Sequence, residues 1–230
     1  MRRPLRLTLG LVLVLLLGAL AALTALLATE GGLRFSLALA QRFAPGELNW
    51  AAASGRLAGS LQLHDLRYTD GDRDIAVGRL DLAWSPGQLL VRRLSVDRLH
   101  LDNTVVQLPV AEKSEATPIE PGWQLPLALE LRDLAVTGLR IQTGTAEPVE
   151  LRSLQVAAAS GRDWVDFETF DLRLAQEQLT ARGRLGLGRD VATDLWLTLD
   201  AEPDGYAPVH SQGHMTGTWA SLSLEQQFEA

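Results

Sequence analysis

Residues 127–141 read Leu127-Ala128-Leu129-Glu130-Leu131-Arg132-Asp133-Leu134-Ala135-Val136-Thr137-Gly138-Leu139-Arg140-Ile141. Apolar residues alternate with polar or small ones, the period of a strand with one dry face and one wet face. Between Leu131 and Leu134 the parity slips by one residue, as a β-bulge or a tight strand bend requires. The same phrase, L-x-L-x-x-L, recurs at Leu61-Gln62-Leu63-His64-Asp65-Leu66 and, with valine in the middle, at Leu94-Ser95-Val96-Asp97-Arg98-Leu99.

Outward from these runs the alternation continues at Ile75–Val77, Leu80–Trp84, Val149–Val156, Phe170–Leu174, Leu179–Leu187 and Leu195–Leu199. Thr69-Asp70-Gly71-Asp72 and Ser85-Pro86-Gly87 carry turn chemistry. Short strands repeated this regularly predict an elongated sheet built from neighbour pairs, not a compact barrel. Residues 111–122, AEKSEATPIEPG, are charged and proline-bearing and read as a flexible linker. It separates a first β block at 47–110 from a second at 123–230. The alternating run begun at Leu222-Ser223-Leu224 has no closing element, so the second block is expected to be truncated.

The N-terminus reads differently. Leu7 to Thr29 contains no charged residue, and Arg2, Arg3 and Arg6 precede it while Glu30 follows. A helix of that length reaches roughly 35 Å, enough to cross a hydrocarbon core of about 30 Å. Residues 1–29 are therefore expected to be a cytoplasmic n-region and a transmembrane signal anchor, with Leu7, Leu11, Leu15, Leu20 and Leu27 among its apolar residues. The arginine flank puts Met1 in the cytoplasm and the bulk of the chain outside it. A cleaved signal peptide competes, with small-x-small sites at Ala19-Leu20-Ala21 and Ala38-Leu39-Ala40. Its apolar core, however, would run only about 7–15 residues. Residues 30–46 follow as a short helix: Leu33, Leu37, Ala40 and Ala44 share one row, Phe35, Leu39 and Phe43 another, and Pro45-Gly46 ends it.

Without the three N-terminal arginines, 18 basic residues face 28 acidic ones. That balance argues against nucleic acid, whose phosphates need clustered Lys and Arg. The absence of cysteine excludes thiol chemistry and disulfides, and an exported chain of that kind suits a bacterial periplasm. His210 and His214 are too far apart on a strand to share a zinc, and glycines and a proline around them disfavour a helix. Asp70, Asp72 and Asp74 loosely follow a calcium loop but have Ile75 where it needs glycine. Gly183-x-x-Gly186-x-Gly188 has the wrong order for a dinucleotide fingerprint. Six tryptophans are scattered as packing residues rather than gathered in a cleft. No catalytic, metal or cofactor site is expected, and the chain is not read as an enzyme.

Taken in order, several pieces resemble the N-terminal region of the TamB-like proteins, inner-membrane subunits of the translocation and assembly module within the AsmA-like superfamily. They are the anchor, Thr29-Glu30-Gly31, Pro45-Gly46-Glu47-Leu48, Ser54-Gly55-Arg56-Leu57, Gly59-Ser60-Leu61, Leu66-Arg67-Tyr68, Leu80-Asp81-Leu82-Ala83-Trp84, Leu89-Leu90 and Leu94-Ser95-Val96. The resemblance implies a mainly β fold, a long sheet curled into an apolar trough (a β-taco) that leads from inner toward outer membrane and carries phospholipid. Candidates for the groove lining are then Leu61, Leu63, Leu80, Leu82, Leu94, Val96, Leu129, Leu131, Leu134 and Val136. The implied partners are the inner membrane and phospholipid acyl chains. An outer-membrane barrel partner would be reached through a C-terminal domain that has no counterpart here. The alternative expectation is a scaffold for outer-membrane proteins, working by β-strand pairing.

Overall fold

The structure, a computed structural model, describes residues 26–109, 124–144, 146–202, 205 and 207–229. The expected span 7–29 and the linker 111–122 therefore lie almost wholly outside the described residues, as do Leu7, Leu11, Leu15 and Leu20. Among the described residues no helix is long and apolar enough to cross a membrane.

Helix α1 (Glu30–Phe43) opens on Thr29, whose hydroxyl accepts a 3.0 Å hydrogen bond from the Gly32 N–H, and closes with the Ala44 N–H on the Ala40 carbonyl. The strands are β1 (Glu47–Asn49), β2 (Ala52–Gly55), β3 (Ser60–Asp70), β4 (Arg73–Trp84), β5 (Arg93–Leu108), β6 (Ala128–Thr143), β7 (Val149–Ser160), β8 (Trp164–Arg173), β9 (Glu177–Gly186), β10 (Thr193–Ala201), β11 (Val209–Thr218) and β12 (Ser221–Glu229). A 3₁₀ helix, Pro86–Val91, sits between β4 and β5. The strands form one open, curled sheet in the order β1-β3-β4-β5-β6-β7-β8-β9-β10-β11-β12, with β2 also on β3. Each neighbour pairing is antiparallel except β5–β6, which is parallel. The two runs of strands expected on either side of residues 111–122 are thus adjacent in a single sheet.

Residues paired across a ladder point to the same side, so the register sorts the side chains. Leu61 pairs with Leu82 and Leu82 with Leu99; Leu63 pairs with Leu80 and Leu80 with Leu101. Across the parallel pair Leu94, Val96, Leu99 and Leu101 meet Leu129, Leu131, Leu134 and Val136. Leu134 and Val136 then face Val156 and Leu154, which face Phe170 and Leu172. One apolar face thus runs across the sheet.

Strands this long would lose that face without correction, because twist and bends move an uninterrupted alternation off the core side. Two slips restore it. The first follows the repeated phrase: register shifts occur between Ala83 and Trp84 opposite Asp97, between Leu131 and Leu134, and on β8 between Phe167 and Phe170. The second crosses four strands in one line. Asp65 (φ 50°), Gly78, Asn103 (φ 52°) and Gly138 (φ 63°) are register neighbours, and three of them are left-handed. A left-handed residue turns the following side chain to the other side without adding a residue. At 61–66 the slip in L-x-L-x-x-L is of this second kind, because the β3–β4 register is unshifted there. The bulge expected from the phrase thus takes two physical forms. Gly78 and Gly138 suit their places: a Cβ on Gly78 would lie 3.2 Å from Asn103 Cβ, and Gly138 has positive φ.

Helix α1 lies on the apolar face at one edge. Leu33, 1% exposed, packs on Leu61 and Leu63 with Leu37, Leu66, Leu80 and Leu82 around them. Its outer row is bare: Phe35 and Phe43 are exposed, as is Leu39.

Candidate functional site

The lining candidates divide by position. Leu61, Leu63, Leu80 and Leu82 lie beneath α1, in contact with its Leu33 cluster. Leu94, Val96, Leu129, Leu131, Leu134 and Val136 lie on β5 and β6, on the same face, beyond that cluster. Leu27, of the anchor residues named above, is half-buried at the start of the described chain, and its carbonyl accepts a 2.7 Å hydrogen bond from the Ala58 N–H.

The sequence runs also place on this face residues that the candidate set leaves out. Leu66, Val77, Leu99, Leu101, Leu139, Leu154, Val156, Phe167, Phe170 and Leu172 are register neighbours of the named ones. Farther along, β10 continues the face: Leu195 lies between Gly183 and Met215, Leu197 between Ala181 and Gly213, and Leu199 between Leu179 and Ser211. Most of these apolar side chains are half-buried; only Leu61, Leu63, Val77, Val96, Val136 and Leu195 among the sheet residues are buried. No second sheet covers the face among the described residues.

The opposite face is charged and internally paired. Arg67 reaches Asp74 at 2.6 Å, Arg132 reaches Asp97 at 2.9 Å and Glu130 at 3.0 Å, and Arg173 reaches Asp171 at 3.0 Å. Arg184 reaches Asp166 at 3.1 Å and also lies over the Trp164 ring. Hydrogen bonding to Arg67 holds the Asp74 carboxyl below the ordinary carboxylate range, and the bonds to Glu130 and Asp171 raise Arg132 and Arg173. Pairs this exposed add little to stability, so their weight is in keeping this face wet and its register fixed.

The histidines are on this wet face as well. His210 bonds Asp200, while His214 bonds Asp194 at 2.7 Å and stacks on the half-exposed Trp196 ring at 3.8 Å. Each is held by its own carboxylate, and among the described residues no group of metal-ligating side chains gathers. Two further tryptophans are tied to turns: the Trp84 indole N–H donates to the Leu57 carbonyl, and that of Trp219 donates to the Gly186 carbonyl. What the arrangement can do chemically is present a broad apolar surface, backed by a charged one.

No curated protein and no solved structure matches the chain. One family model does, that of the TamB N-terminal domain, over residues 19–122. The match runs from within the uncharged stretch through α1 and β1–β5, the edge of the sheet where the helix meets the apolar face. Over these residues, somewhat under half of the chain, the sequence is similar to a TamB N-terminal domain.

Proposed function

We propose that this chain is an inner-membrane-anchored member of a translocation and assembly system whose apolar sheet face shelters phospholipid acyl chains in transit across the periplasm. The carrying observation is the apolar face itself: it crosses the sheet, two slip lines keep it on one side, and beyond helix α1 no second layer covers it among the described residues. At ~0.8 kcal/mol per CH₂, a 16-carbon tail needs on the order of 12 kcal/mol of shelter from water. Leucine, valine and phenylalanine offer that shelter without gripping a head group, so a lipid can slide. The TamB-like region supports placement at the inner membrane and a family role in translocation and assembly. No catalytic role is proposed.

The test is to purify the full chain in a mild detergent and assay bound phospholipid by mass spectrometry. A folded Leu131→Arg variant should lose most of that lipid, since burying an unpaired charge costs several kcal/mol. Arg132→Glu, on the wet face one residue away, should keep it. Equal lipid in both variants would remove the apolar face from the mechanism.

A second reading is favoured by β12. Its outer edge is unpaired among the described residues, and Leu222, Leu224 and Phe228 are exposed along it. Such an edge suits strand addition by an outer-membrane protein. Capture of that edge by an unfolded barrel strand, with no bound lipid, would put the scaffold first.

A further inference from the structure

The two ends of the sheet differ in charge. The register places the turns 56–59, 85–92, 161–163, 187–192 and 219–220 at one end, the end where Leu27 meets Ala58. Those turns carry Arg56, Arg92, Arg162 and Arg189 against Asp163 and Asp190, and Arg93 begins the next strand. The described turns at the other end carry Asp72, Glu147 and Glu202 and neither lysine nor arginine. Arg56, Arg92 and Arg162 have no ion-pair partner among the described residues.

The basic end also holds the most exposed apolar tip on the sheet. Within the 3₁₀ helix Pro86–Val91, Leu90 is 90% and Val91 70% exposed, and Leu89 is exposed beside them. The tip has a fixed shape. Arg92 adopts φ 57° and its N–H bonds the Gln88 and Leu89 carbonyls, the Ser85 N–H bonds Ser95, and the Ser85 hydroxyl bonds Asp97 at 3.0 Å. The Trp84 N–H bonds Gly59, tying the tip to the turn that holds Leu27. A rigid hairpin end that shows three apolar side chains to solvent, with unpaired arginines next to them, has the chemistry of an interfacial membrane wedge.

We infer that the 85–92 tip is a second membrane contact. Leu89, Leu90 and Val91 seat below the head groups of the anchoring membrane, and Arg92, Arg56 and Arg162 meet anionic phosphates. This deepens the proposed function and rests on its inner-membrane placement. It fixes which end of the apolar face opens onto lipid: the one where β5 and β6 begin, at Leu94 and Leu129. The acidic end is correspondingly repelled from the same surface. A protein partner on the tip is the competing occupant; the arginines and the tie to Leu27 favour lipid.

The chain has no cysteine, so a single one reports a single site. The full-length Leu90→Cys variant, carrying an environment-sensitive fluorophore, is reconstituted into vesicles of phosphatidylethanolamine and phosphatidylglycerol. The expected result is blue-shifted emission, quenched by shallow spin-labelled lipid and shielded from iodide. The same label at Ala207→Cys, at the acidic end, should be open to iodide and unaffected by spin-labelled lipid. Replacing phosphatidylglycerol by phosphatidylcholine should make the label at 90 shallower. A label at 90 that iodide reaches as readily as at 207 overturns the inference. So does one shielded from iodide but untouched by spin-labelled lipid, which would mean a protein covers the tip. Retention after an alkaline carbonate wash tests the anchor separately: a chain that washes off defeats anchoring, whereas the label still reports whether Leu90 meets lipid.

Discussion

At Asn103 and Gly138 the apolar face depends on backbone sign more than on side-chain size. Both are left-handed, and they stand beside one another across the parallel pair. Gly138→Val, a β-branched residue at positive φ, should lower stability by about 1–3 kcal/mol in urea unfolding, whereas Asn103→Gly should stay within about 0.5 kcal/mol of the parent. At Asp74 the relevant variable is pH. Its carboxyl is held low by the Arg67 hydrogen bond, so its contribution is present above the unfolded carboxylate value of about 3.9 and fades as pH falls through the lower folded one. The urea-midpoint gap between the parent and Asp74→Asn should therefore narrow between about pH 5 and pH 3. The first parity slip was legible because leucines mark both sides of it. The second was legible only at 61–66, since Gly78, Asn103 and Gly138 look like turn residues when each is met alone, and only the register aligns them with Asp65.

Among the elements, β5 and β6 are the least expected. Their parallel pairing joins residues far apart in sequence, and no local pattern encodes it. It has a geometric consequence. Leu108 ends β5 at one end of the sheet and Ala128 begins β6 at the other. At ~3.3 Å per residue the distance between them is roughly 50 Å, against a reach of roughly 68 Å for residues 109–127 fully extended. Deleting eight residues from 111–122 shortens that reach to roughly 41 Å and should break the pairing. The measurement is disulfide formation between cysteines at the paired positions Asp102 and Thr137: lost in the deletion, retained when the same eight residues are replaced by Gly and Ser. Helix α1 was read closely, because its two apolar rows and Pro45-Gly46 are local signals. Strand β11 was not among the expected strands, since Ser211 and Gly213 occupy its inward positions and mask the alternation. Its ladder with β10 carries it instead.

Over the whole molecule, sorting by face and sorting by end act together. One face is leucine-rich and the other carries paired charges; one end has an apolar tip among arginines and the other is acidic. On the function proposed above, these two polarities would orient the open sheet with respect to a membrane and to a lipid at the same time. The apolar face was readable as a set of alternating leucines, but its breadth, from β3 to β10, follows from pairings that the sequence does not display. The central claim is that acyl chains travel on the apolar side, and neighbouring residues on β6 separate the two sides cleanly. Leu134 faces the apolar side with Leu99 and Val156, while Ala135 faces the wet side with His100 and Gln155. The most direct measurement is photo-crosslinking in cells with a light-activated residue at each position in turn, followed by mass spectrometry of the adduct. Phospholipid attached at 134 and absent at 135 is the expected result; equal labelling at both positions, or none at 134 in a chain that folds and reaches the membrane, would contradict it.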